Sequence, residues 1–207
     1  MMFNKGEIAK LYRHVYNLGK IPGSTISMTD DDIVKINVVL ASYSEIDRRI
    51  LYSRAGIIRK KSYEKLGKEF GMKEKEVETN EILAIVDLKP KLPPIFISKR
   101  HELRVEQLME AMEHGVTPAL RMELFKEVLS PFKSSTKAKE YYAQVTEIND
   151  IELDYYTRKV LRDRGVETLE ELLELSGEKI AGIEGAYVAR LVSMVHSFGY
   201  ADFCLAV

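Results

Sequence analysis

Six cations crowd into the fifteen residues from Arg54 to Lys68: Arg54, Arg59, Lys60, Lys61, Lys65 and Lys68. Guanidinium and ammonium groups at that density are the chemistry that neutralises phosphate oxygens and displaces their counterions. The following stretch, "GMKEKEVETN", interleaves Lys73 and Lys75 with Glu74, Glu76 and Glu78, and Glu81 comes next. Thr79 adds a hydroxyl that can donate or accept. A second basic edge lies in "YYTRKVLRDRG", with Arg158, Lys159, Arg162 and Arg164. Arg54, Arg59, Lys60, Lys61, Lys73, Lys75, Thr79, Arg158, Lys159 and Arg162 are candidate DNA-binding groups, as is Gly185, in a glycine hairpin whose free amides can hold a phosphate. Carboxylates repel a polyanion and attract a basic protein surface, so Glu74 and Glu78 are candidate protein-docking groups. A solvated helix face accounts for the same mixture of Lys and Glu.

Catalytic chemistry finds no comparable pattern. His14, His101, His114 and His196 are scattered without metal-ligand spacing. The carboxylates Asp30–Asp32 sit at an expected helix start, where the helix dipole explains them. Gly182 and Gly185 lack the Gly-Lys-Ser/Thr ending of a phosphate loop, and Cys204 has no base beside it. No enzyme activity, cofactor, metal or small-molecule substrate is expected. A single cysteine excludes an internal disulfide framework, and with no signal peptide the chain reads as cytoplasmic. No apolar run reaches the roughly 20 residues of a membrane span. With 45% hydrophobic and 30% charged residues, the 207-residue chain is globular rather than disordered. Its net charge of −1 is uneven: +3 over residues 1–90, +1 over 91–147 and −5 over 148–207.

The elements that must position these groups read as helices throughout. Few prolines and abundant Leu, Glu and Lys favour helix, and the apolar spacing predicts helices over 5–19, from Thr29, and over 44–56. "KIPGSTIS" reads as a loop. Two short helices then flank Gly71. "KPKLPP", 89–94, reads as a break and domain boundary. Further helices are expected over about 98–115 (apolar stripe Leu103, Val105, Leu108, Met109, Met112), from Thr117-Pro118 to before Pro131, and over "STKAKEYYAQV". In the last sixty residues a helix ends at Gly165. Thr168 and Glu171 form a capping box, and a glycine hairpin precedes a final helix. "PPIFIS" is the one stretch that could form a strand, and none is predicted.

Residues 40–89 resemble region four of bacterial sigma factors. The matching positions are Leu40, Glu45 or Asp47, Ile50-Leu51, Tyr63-Glu64-Lys65-Leu66-Gly67, Gly71-Met72 and Val77. The resemblance implies a helix-turn-helix: Leu66 and Val77 in its core, Gly67 at a close approach, Gly71 in the turn. The family's recognition arginines fall on Glu74, Glu76 and Glu78, which replaces groups that pair with guanine and phosphate by groups that repel phosphate. The segment "TLEELLELSGEKIAGIEGAYVARLVSMVHSFG" follows a helix-hairpin-helix pattern, with Gly182 and Gly185 framing Ile183 and Ala189 as the small packing residue. Residues 151–200 resemble the C-terminal domain of the bacterial RNA polymerase alpha subunit. That family's DNA-contacting residues fall on Tyr156, Lys159 and Tyr187-Val188, and only its glycine, Gly185, is kept.

These observations lead to an all-α expectation: a helix-turn-helix domain over 1–92, a helical middle over 93–147 and a helix-hairpin-helix domain over 148–207. The expected function is a non-enzymatic transcription-associated protein that binds duplex DNA, RNA polymerase or both. The alternative is an adaptor whose modules contact protein only. No membrane partner is expected.

Overall fold

Helices begin where a side-chain oxygen can satisfy the free amides of a first turn. In the computed structural model, which describes residues 3–22 and 25–206, this happens at Asn4, Thr29, Ser44, Ser62, Ser98, Thr117, Asp154 and Thr168. The first five helices are α1 (Lys5–Val15), α2 (Asp30–Ala41), α3 (Glu45–Arg54), α4 (Tyr63–Phe70) and α5 (Glu74–Leu88). Six more follow: α6 (Lys99–Glu113), α7 (Pro118–Val128), α8 (Ser135–Val145), α9 (Tyr155–Asp163), α10 (Leu169–Glu174) and α11 (Ala186–Ser197). Among the described residues the chain is all-helical, and no helix there is long and apolar enough to cross a membrane. Within the expected loop 20–27, residues 23 and 24 lie outside the described residues.

The chain groups into two compact units. The first takes in the described residues up to Ile97 together with Pro131–Lys133. The second takes in Ser98–Ser130 and the described residues from Ser134 onward.

In the first unit, Ile8, Leu11, Tyr12 and Val15 of α1 meet Ile36 and Leu40 of α2, Leu51 of α3, and Ala84 and Leu88 of α5. Helix α1 stops at Val15, four residues short of Gly19, because Asn17 already adopts a left-handed backbone (φ 51°). The proline-rich stretch expected to be a break and domain boundary is packed into this unit, which runs on to Ile97. Leu92, Ile95 and Phe96 are core residues, the Tyr12 hydroxyl donates to the Pro93 carbonyl at 2.5 Å, and that of Tyr16 donates to the Lys89 carbonyl at 3.0 Å. Three short segments pair there as isolated bridges, Ile26 with Phe96 and Phe96 with Phe132. The Pro131 carbonyl accepts from both the Ile95 and Phe96 amides, each at 2.9 Å.

In the second unit one core runs from Val105 and Leu108 through Leu124, Tyr142, Leu161 and Leu172 to Leu191 and Phe203. The segment 98–130 and the residues from 148 onward share this core, so the expected middle segment has no core of its own. Leu103, expected on the apolar stripe of α6, is exposed, while Val105, Leu108 and Met112 are buried.

Candidate nucleic-acid interface

The α4–α5 corner is set by two glycines with different tasks. Gly71 closes α4 at φ 69°, a conformation that a side chain disfavours. Gly67 is needed for space: a Cβ there would stand 2.6 Å from the Met72 carbonyl oxygen, and the Met72 amide donates to the Gly67 carbonyl at 2.9 Å. Leu66, Val77 and Ile50 are buried together beneath the corner, flanked by Tyr63, Phe70 and Met72. Burying each such side chain is worth about 1.5–3 kcal/mol before entropy is counted, so this small core holds α3, α4 and α5 in place.

The four acids of this region divide by position. Glu81 does not face solvent; it is 3% exposed. One of its carboxylate oxygens lies 2.6 Å from His14 Nε2, and the other accepts from the Tyr63 hydroxyl at 2.5 Å and stands 3.4 Å from Arg54 Nε. Burial works against its charge, but the His14 and Tyr63 hydrogen bonds and the Arg54 guanidinium outweigh that, and its carboxyl is held below the ordinary carboxylate value. Burial and the bond to Glu81 push the Tyr63 phenol up. Glu76 closes the first turn of α5, accepting from the Lys73 amide at 2.7 Å. Glu74 and Glu78 are exposed and have no ion pair among the described residues.

The cations divide in the same way. Arg54 is turned inward, over the Tyr63 ring at 4.1 Å and against Glu81. Lys61 pairs with Glu69, and Lys68 pairs with Glu64 one helical turn away. Arg59, Lys60, Lys65, Lys73 and Lys75 are exposed and have no ion pair among the described residues. The buried Ser53 positions the approach to α4: its hydroxyl donates to the Arg59 carbonyl at 3.1 Å and accepts from the Lys61 amide at 3.0 Å. Thr79 is exposed, with its hydroxyl on the Lys75 carbonyl at 2.8 Å.

Farther along α5, Ile82, Leu83 and Val86 are 55%, 62% and 64% exposed. They continue the outward stripe that begins with Lys75 and Thr79. This apolar surface was not legible in the sequence. "EILAIVDL" is apolar on every side, so periodicity cannot tell its covered face from its open one.

In the second unit the glycine hairpin surrounds the buried Ile183. Gly182 (φ 95°) lies against Val160, whose Cγ2 would be 3.3 Å from a Cβ. Gly185 (φ 56°) caps α11 with no atom within 4 Å of a Cβ, so its role is a backbone one rather than close packing. Ala189, expected as the small packing residue, is exposed. The Tyr156 and Tyr187 rings meet at 5.6 Å, and Tyr155 stands 82% exposed. Arg158 folds back to donate to the Ile151 and Leu153 carbonyls at 3.1 and 3.3 Å. Lys159 and Arg162 remain exposed.

Comparison of the chain with protein-family models, with curated proteins and with solved structures gave no match.

Proposed function

We propose that the chain is a non-enzymatic, transcription-associated protein that holds duplex DNA against the α4–α5 corner. The observation that carries this reading is the set of exposed cations without an ion pair among the described residues around one glycine-turned helix pair: Arg59 and Lys60 before α4, Lys65 on it, and Lys73 and Lys75 where α5 begins. Such groups contact phosphates and fix orientation without reading sequence. The link to transcription comes from the resemblances of residues 40–89 and 151–200. In the second unit, Lys159, Arg162 and the turn at Gly185 offer a smaller contact of the same kind. A second reading, an adaptor that binds RNA polymerase or another protein, is favoured by Ile82, Leu83 and Val86, because an apolar patch opposite a helix's buried face marks a protein contact more often than a DNA contact.

The test is a salt titration with duplex DNA. Wild-type affinity should fall steeply as salt rises. The triple variant Arg59→Glu, Lys60→Glu, Lys65→Glu should bind more weakly, with its log–log salt slope reduced by roughly 0.9 per lost phosphate contact. Absence of wild-type binding at low salt would remove the DNA reading and leave the adaptor.

A further inference from the structure

Within the second unit, side chains from α7, α8 and α11 line an open-sided cavity of about 690 Å³. Small-molecule sites occupy roughly 300–1,000 Å³. Met122, Phe125, Met194 and Phe198 give it an apolar wall. That wall is braced, because Phe125, Tyr142 and Phe198 pack ring on ring with centroids 5.5, 5.9 and 6.3 Å apart.

The charged groups at its edge are not all equivalent. Arg121 is neutralised by its ion pair with Asp150. Arg190 of α11 and Glu152 both line this cavity and an adjoining hollow. Both are exposed, and neither has an ion pair among the described residues. Asp154, in the adjoining hollow, is engaged as the cap of α9 by the Thr157 amide and hydroxyl. The apolar wall is therefore bordered by one uncommitted guanidinium and one uncommitted carboxylate. A simple anion would gain from Arg190 and be opposed by Glu152, and a simple cation would meet the reverse. A molecule that carries both charges beside an apolar body satisfies both.

We infer that this cavity binds a zwitterionic amino acid with a large apolar side chain, its carboxylate on Arg190, its ammonium on Glu152 and its side chain against Phe125 and Phe198. This is a ligand site rather than a site of chemistry, and it is independent of the DNA reading.

The chain contains no tryptophan, so the indole of added L-tryptophan is the only one in the sample and reports binding directly. Titrating L-tryptophan with the full chain should give a saturable shift of indole emission. Indole-3-propionate, which lacks the ammonium, and tryptamine, which lacks the carboxylate, should each bind roughly tenfold more weakly. Arg190→Ala should weaken tryptophan and indole-3-propionate, and should strengthen tryptamine by removing the opposing charge. Glu152→Gln should weaken tryptophan and tryptamine, and should strengthen indole-3-propionate by removing the opposing charge. Both positions are exposed, so the variants keep the fold, which circular dichroism checks. Thermal denaturation with L-leucine, L-methionine and L-phenylalanine covers smaller side chains. No response to any of the four amino acids, equal binding of the three indole compounds, or indifference of both variants would each overturn the proposal.

Discussion

At Gly67 a methyl group would meet a backbone oxygen at 2.6 Å, whereas at Gly185 it would meet nothing within 4 Å. Gly67 lies within α4, one turn before the Gly71 cap, and Gly185 caps the start of α11; both corners resemble DNA-binding corners in sequence. Gly67 is where two stretches of backbone press together over a small core of Ile50, Leu66 and Val77. Gly185 is a dihedral requirement at an open surface. The charges follow the same division. Around the first corner five cations are exposed and unpaired among the described residues; at the second, Arg158 is folded back onto carbonyls in a segment with a net charge of −5. Two corners that both resemble DNA-binding corners in sequence thus differ in what their glycines do and in the charge they expose.

The largest expected effect separates the two glycines. Gly67→Ala should destabilise the first unit by about 3 kcal/mol, because the corner must open to admit the methyl group. Gly185→Ala should cost about 1–2 kcal/mol, through backbone strain alone. Hydrogen exchange resolved by unit, combined with urea unfolding, would check both values; equal costs would end the distinction.

Next comes the contrast between two glutamates on one helix. Glu81→Gln should cost about 2 kcal/mol, since it leaves Arg54 and His14 facing a neutral amide. Glu78→Gln should stay within about 0.5 kcal/mol. The Glu81 carboxyl is lowered in the folded chain from its ordinary value of 4.5. Its contribution is therefore complete above that pH and is lost as pH falls through the lower folded value. Wild-type stability should decline below about pH 4.5 more steeply than that of Glu81→Gln. Parallel acid limbs in urea titrations would mean that Glu81 is not the group responsible.

The smallest stability effect belongs to Glu74→Arg, Glu78→Arg, within about 0.5 kcal/mol by thermal melting. Its effect on binding should be easier to read. Non-specific DNA affinity should rise, with a salt slope steeper by up to roughly 0.9 per new phosphate contact, and a complex with a basic protein partner should weaken. Unchanged DNA binding would place these positions off the DNA-facing side.

The helical pattern and the α4–α5 corner were legible because caps and glycines act locally. Thr29, Thr168 and Gly71 need only their near neighbours to do their work. Glu81 was not legible. It belongs to the same run of acids as Glu78, and its burial depends on His14, sixty-seven positions away. The inward turn of Arg54 was hidden for the same reason. Ser53 gave only a faint signal, a serine among apolar neighbours, and its partners at Arg59 and Lys61 lie beyond the helix end. The proline-rich stretch misled because proline signals a break in helix, which 89–94 does contain, and says nothing about whether the broken chain is covered. Ala189 misled because smallness fits either a tight contact or open solvent.

Pro131–Lys133 completes the first unit from far along the chain, and this bears on how the protein emerges during synthesis. When Ile97 has been made, the Ile95 and Phe96 amides have yet to meet their acceptor, the Pro131 carbonyl. Ser98–Ser130, which belongs to the other unit, must be translated first. At ordinary elongation rates that interval is on the order of seconds, long compared with the formation of a helix. The nascent first unit therefore waits with part of its core edge unpaired, and the second unit begins to appear before the first is finished. A fragment ending at residue 97 would remain in that waiting state permanently.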